Sequence, residues 1–463
     1  MNTFAEPSSV VALLGFAIPL TLAAVAVVAP ARAAPASVAA LGMALLFAAG
    51  VALGGGGTRF GVGGDGVASV MLVLVAALGA VVVRYSQTYL QGDPSRRLLH
   101  YQRWLLLTLA AVTGLVVASN LLVIALAWTA TSLALHRLLT FYADRPLARV
   151  AAHKKFVVSR LADACLFGCL ALVHRAVGSF SLDRIAQAAA GPVLGGPPSL
   201  APPLPGNLLA FANGRAPHLP QALELAAVLV VVAVALRSAQ LPFHGWLTQV
   251  MEAPTPVSAL LHAGVVNIGG FVLIRLAPWI GRATVAPALL VALGLASAVV
   301  GALVMTTRIS VKVALAWSTC AQMGFMLVQC GLGLWHLALL HLVAHSLYKA
   351  HAFLSAGSAV DAWRLRELAH VEQPRPAGTV LVATGFAVLG AAALDRLSAA
   401  LGAPHDGTTR AVFALLVGLA LVPLLARMTI GSLGRALGVA ALYFAGHTAA
   451  ARLFPTPAVA HPV

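Results

Sequence analysis

The chain has 463 residues, of which 60% are hydrophobic and only 9% charged. A soluble protein of this length needs far more charge to cover its surface, so a soluble fold is excluded. The formal net charge of +16 does not mark a nucleic-acid partner, because the basic residues are spread over short segments and form no single patch.

Apolar runs of the ~20-residue length that a bilayer requires recur along the whole chain. They predict an all-α, polytopic integral membrane protein, with residues 1–463 as a single membrane domain. The first run, Val10 to Val28, follows Glu6 with no basic stretch before it, and reads as a retained span rather than a cleaved signal. About fourteen spans are predicted at that length, near 8–29, 37–54, 66–84, 103–118, 121–141, 156–177, 221–240, 256–277, 285–305, 312–331, 334–358, 377–400, 411–427 and 434–452. Gly54-Gly-Gly-Gly57 falls in a loop between spans. Gly178 to Pro220, rich in Pro, Gly and Ala, reads as an irregular loop. Cys165, Cys169, Cys320 and Cys330 all lie within spans and read as buried thiols, neither a disulfide framework nor a metal site.

Loop charge sets the expected orientation. One set of alternate loops holds Arg32, Arg96, Arg97, Arg103, Arg145, Arg149, Lys154, Lys155, Arg308 and Lys312, with Arg364, Arg366, Arg375, Arg427 and Arg435 further on. The other holds scattered arginines such as Arg59, Arg184 and Arg282. The positive-inside rule makes the first set cytoplasmic. An even span count then places both termini and the 178–220 loop in the periplasm. Inner segments 84–103 and 142–155 offer a basic cytoplasmic docking face.

Ionisable residues at membrane depth are costly and usually mark an ion or proton pathway. Leu241 to His262 carries Pro242, Pro254 and Pro256 together with Glu252, His244 and His262, between two long apolar runs. Proline removes a backbone hydrogen bond, so span seven is expected to break near Pro242, where freed carbonyls can hold water or a cation. Arg237 stands just before that break. It keeps its proton and cannot relay one, so its expected role is to bias a neighbour's charge; the alternative is a snorkelling arginine. Asp163, three residues after Arg160 on span six, can pair with it on one helix face. By span order Asp163 is also the nearest counter-charge for Arg237. His262 starts the next span. Lys312, close to Arg308, is equally a topology residue or the inner end of a relay. His341, His345 and Lys349 follow one another at four-residue spacing and form one slanted polar stripe on an apolar helix. Histidine exchanges protons near neutral pH, so the stripe has the makings of a relay. The alternative is an interhelical hydrogen-bond network. Phosphate-binding glycine loops, Cys/His metal clusters and nucleophile elbows are absent from the sequence.

Arg237-Ser-Ala-Gln-Leu-Pro-Phe-His-Gly-Trp, followed by Met251-Glu-Ala-Pro-Thr-Pro-Val-Ser-Ala-Leu-Leu-His-Ala263, resembles the signature of the antiporter-like subunits of respiratory complex I, shared with Mrp sodium/proton antiporters. Lys154 to Asp163, Lys312 to Phe325 and His341 to Phe353 agree with it. The resemblance runs over roughly 65–400. It implies two inverted five-helix repeats, near 103–277 and 285–427, each with a broken helix. An ion pathway is implied through Lys349, His345, His341, His262, Arg237, Lys312 and Asp163, with Asp395 matched to the second break.

The departures from the family matter. The family usually carries a glutamate after the tryptophan of span five, where this chain has Thr129. The family lysine before Ser-Ala-Gln is Arg237, and a family Lys-Asp pair is matched only by Leu394-Asp395. The chain also stops soon after Asp395, leaving no room for the long lateral helix of the complex I subunit. A short, altered member of the family is most similar to the membrane subunits of Dab-type inorganic carbon pumps. That resemblance implies a bacterial inner-membrane subunit that is not itself an enzyme. It would conduct H+ or Na+ to drive a large, soluble, carbonic-anhydrase-like partner on the cytoplasmic side. Zinc would belong to that partner, with no cofactor in this chain. A complex I proton-pumping subunit and a Mrp-type Na+/H+ antiporter are the alternatives, and a non-transporting scaffold is a third.

Overall fold

The computed structural model describes residues 7–190 except 60 and 143, residues 219–358 and 377–400, and isolated positions at 364 and beyond 433. It divides into two compact units, Met1–Gly357 and Ser358–Val463. The expected spans at 411–427 and 434–452 lie outside the described residues. In the second unit the described element is one long helix, Ala377–Ala400.

The first unit is built from membrane-length helices: α1 Pro7–Val28, α2 Ala33–Gly50, α3 Gly66–Tyr89, α4 Ser95–Val117, α5 Leu121–Leu139 and α6 Pro146–Val177. Among the described residues, eight helices are long and apolar enough to cross a bilayer. Gly54 to Gly57 is more ordered than a loop. It leads through a π turn into a short antiparallel hairpin, β1 Gly57–Arg59 and β2 Val62–Gly64.

Two stretches read as loops are partly helical. Residues 142–155 are mostly the start of α6, because Pro146 occupies its first turn, where a missing N–H costs nothing. The 32 residues of α6 end at Gly178, whose φ of +69° suits a glycine cap. Inside the 178–220 stretch, Leu182–Ala190 forms α7 and buries Ile185 and Ala189. Ile185 and Ala189 stand four apart on one helix face opposite Asp183, Arg184 and Gln187, an amphipathic pattern that a count of Pro and Gly overlooks. Cys165 also departs from its reading: it is only half-buried, while Cys169, Cys320 and Cys330 are buried, and all four are free thiols.

Helix α8 Gln221–Arg237 stops at Arg237, and the chain turns through Ser238 to His244, with Pro242 inside the turn, before α9 Gly245–Gln249. The next span is itself interrupted. It runs as α10 Thr255–Leu260, a π segment Leu261–Val265, then α11 Ile268–Arg275 and α12 Ala277–Ile280. Single π turns inside α-helices are often found at functional sites. Helices α13 Val285–Met305, α14 Val311–Gly331 and α15 Trp335–Leu354 complete the unit. Helices α13 and α14 approach through glycine: a Cβ on Gly324 would lie 2.6 Å from the Gly294 carbonyl oxygen. Small residues allow this close approach where lipid offers no hydrophobic drive.

The connections sort to two ends. At one end β2 bridges Ala118, Asn120 bridges Ser181, and Arg275 pairs with Asp65, the N-cap of α3. At the other, Arg103 reaches the Ala26 carbonyl at 3.3 Å, Arg145 pairs with Glu252 at 3.5 Å, and Lys312 reaches Thr255 at 3.0 Å. The strongly basic alternate segments of the first unit therefore share one end.

Candidate ion pathway

Two buried polar clusters lie inside the helical bundle. The first gathers around Asp163 of α6. Lys155, Ser159 and Asp163 recur every fourth residue, and all three are buried on the face of α6 turned inward. Arg237, at the end of α8, forms an ion pair with Asp163 Oδ1. Arg160 Nη2 contacts the other oxygen at 2.8 Å, and the Thr129 hydroxyl donates to Oδ1 at 2.8 Å. The Arg237 guanidinium also sits 4.6 Å from the Trp128 ring centroid. Trp246, on α9, donates its indole N–H to the Leu236 carbonyl at 3.2 Å, tying the segment after the break back to the end of α8.

Lys155 is the residue that sequence reasoning missed here. It was counted with the basic loop charges, yet it is 4% exposed and donates to the carbonyl and hydroxyl oxygens of Ser132, both at 2.8 Å. Its signal was present in the four-residue step to Ser159 and Asp163. The step became readable only once α6 was known to begin at Pro146. The snorkelling alternative for Arg237 does not describe its position, since the side chain is buried and paired.

The second cluster lies where α14, α15 and the π segment meet. Lys349 is fully buried. Its amine donates to the Leu315 carbonyl at 3.0 Å and to the Ser318 hydroxyl. His262 lies within the π segment, seven residues past the start of its span rather than at the start. Its Nδ1 is 3.1 Å from Thr319 Oγ1, and its ring stacks on Phe353 with centroids 4.4 Å apart. His341 and His345 have ring centroids 6.0 Å apart, and His341 Nδ1 is 3.0 Å from Gln329 Oε1. Among the described residues, both ring nitrogens of His345, Nε2 of His262 and of His341, and Oδ1 of Asn267 have no hydrogen-bond partner.

Neutral polar groups span the space between the clusters. Ser238 donates to the Val266 carbonyl at 3.2 Å, and Gln240 donates to the Ser238 carbonyl at 2.8 Å. Asn267 donates to Ser346 Oγ at 2.6 Å and to the Ala263 carbonyl at 2.8 Å. Toward the basic end, Lys312 donates to Thr255, whose hydroxyl donates to the Tyr89 oxygen at 3.4 Å. The geometry thus brings together Asp163 with Arg237, and His262 with Lys349, His345 and His341; it sets Lys312 at one end. Asp395 falls on the Ala377–Ala400 helix of the second unit, and its side chain lies outside the described residues. Among the described residues, no group of three or more His, Cys, Asp or Glu side chains is placed to hold a metal ion.

A membrane-embedded bundle with two broken spans and an internal file of cations and imidazoles defines an antiporter-like membrane subunit. Residues 118–393 match the family model described as "NADH:quinone oxidoreductase/Mrp antiporter, TM", and the chain belongs to that family. It is 45% identical over 315 residues to a protein of Hydrogenovibrio crunogenus named "Probable inorganic carbon transporter subunit DabB", covering 68% of this chain and 56% of that one. It is 44% identical over 344 residues to the "Probable inorganic carbon transporter subunit DabB2" of Halothiobacillus neapolitanus, covering 72% and 56%. The "NAD(P)H-quinone oxidoreductase chain 5" of a Synechocystis strain is 32% identical over 298 residues, 64% of this chain and 40% of that one. Among solved structures, the Mrp complex from Dietzia sp. DQ12-45-1b gives a TM-score of 0.62 at 24% identity, covering 96% of this chain and 49% of that chain. The chain spans about half the length of the relatives it matches, so its shortness does not distinguish one member of the family from another.

Proposed function

We propose that this chain is the membrane subunit of an energy-coupled inorganic carbon pump. It conducts H+ or Na+ across the bacterial inner membrane and drives a soluble, zinc-containing, carbonic-anhydrase-like partner on the cytoplasmic side. The observation that carries the ion path is the column of half-buried His341 and buried His345 and Lys349, with His262 beside it and Lys312 toward the basic end. Each of these side chains can hold or pass a proton, and water can join the unpartnered ring nitrogens. The carbon assignment is supported by identities of 44–45% to named inorganic carbon transporter subunits, against 32% to a quinone oxidoreductase chain.

In this reading the basic end faces the cytoplasm, and both termini and the 178–220 segment face the periplasm. A reporter active only in the cytoplasm, inserted between 191 and 218, would be silent; activity there overturns the orientation. Function is tested by growth of a carbonic-anhydrase-deficient bacterium in ambient air. Rescue requires this chain together with its soluble partner, and disappears with an uncoupler. Rescue by the soluble protein alone, or NADH-driven quinone reduction by a complex purified through this chain, overturns the assignment.

A further inference from the structure

Helix α6 is too long for the membrane it crosses. At 1.5 Å per residue its 32 residues extend to about 48 Å, against a hydrocarbon core of roughly 30 Å. Placing Val177 at the far interface would let about twenty residues fill the core and would leave the first turns of α6 in the headgroup layer. That register puts Arg149, His153 and Lys154 at headgroup depth and Val157 and Val158 at the edge of the hydrocarbon.

The side chains stack accordingly. Arg149, His153 and Val157 form one four-residue row on α6, and Val150, Lys154 and Val158 form the next. Both rows face the segment after the break, where Phe243 and Trp246 supply the opposite wall of an open groove of about 720 Å³. Phe243, Val150 and Val157 are 41%, 51% and 57% exposed, while Trp246 lines the groove at 4% exposure. Lys154 is held in place by donating to Gln249 Oε1 at 2.8 Å. The nearest acid on the α9 side, Glu252, pairs with Arg145 and does not line the groove. The groove is therefore cationic at its mouth and apolar below.

We propose that this groove binds one anionic phospholipid, with its phosphate on Arg149, His153 and Lys154 and an acyl chain along Val157, Val158, Phe243 and Trp246. Opposite charge at headgroup depth and an apolar slot directly beneath it match the two ends of such a lipid. The lipid would lie against the break that follows Arg237.

The test places the full chain in nanodiscs containing brominated-acyl phosphatidylglycerol or brominated-acyl phosphatidylcholine. Fluorescence quenching at Trp246 is read as the difference between the native chain and Trp246→Phe, which removes the contribution of the other tryptophans. Each cation near the surface contributes roughly a fivefold preference for anionic lipid. The expected result is stronger quenching by phosphatidylglycerol, with the preference reduced about fivefold by Arg149→Gln or Lys154→Gln. Arg149→Lys should retain it, and added salt should weaken it. Equal quenching by the two lipids, or a preference unchanged in both glutamine variants, overturns the proposal. So does protection of Trp246 from both lipids by a soluble partner, which would make the groove a protein-docking face.

Discussion

At Asp163 a buried carboxylate collects two arginines and a threonine hydroxyl, whereas at Lys349 a buried amine rests on a carbonyl and a serine hydroxyl, with imidazoles nearby. The first arrangement is compensated. Removing Asp163 leaves the Arg237 guanidinium stranded in a poorly solvating interior, which costs far more than losing the attraction itself, whereas removing Arg237 leaves Asp163 with Arg160 and Thr129. The second has no carboxylate in contact with Lys349 among the described residues, so Lys349 and the histidines can change protonation without breaking an ion pair. One cluster holds paired charges beside the helix break, and in the proposed function the other exchanges protons.

The largest expected effect comes from the exchanging cluster. Lys349→Ala should abolish ion flux in proteoliposomes at normal expression. A well-expressed, fully active Lys349→Ala protein would make the column structural and support the scaffold reading.

The compensated cluster should answer differently. Asp163→Asn should cost about 3–5 kcal/mol of stability, read as a fall in thermal unfolding temperature; Arg237→Ala should cost less, because Arg160 stays on Asp163, and each should impair flux. The double variant should be no worse than the worse single, because the two act as one unit. Multiplication of the two defects would separate them.

Within the exchanging cluster, His345→Ala should lower flux by roughly 10²-fold, the scale of a positioned proton-transfer group. It should leave thermal stability close to that of the native chain. A stability loss matching that of Asp163→Asn would mean that the two clusters are not different in kind. The smallest effect is expected from Thr129→Val, which removes one hydrogen bond to a charged acceptor and should cost about 1.5 kcal/mol. An unchanged unfolding temperature would show that the two arginines alone satisfy Asp163.

The family resemblance implies a glutamate on span five, where this chain has Thr129; the Thr129 hydroxyl donates to Asp163, and Arg237 pairs with the same oxygen.

Membrane residence, the break after Arg237 and the spacing of His341, His345 and Lys349 were legible in the sequence. Bilayer thickness fixes span length, proline removes a specific hydrogen bond, and the helical repeat fixes which side chains share a face. Asp163 was legible as a candidate counter-charge through span order alone. The tertiary structure decided the rest. It alone turned Lys155 inward onto Ser132, stacked His262 on Phe353, and seated Lys349 against Leu315 and Ser318. Those contacts join residues far apart in the chain, through packing between helices that no periodicity within one helix can encode.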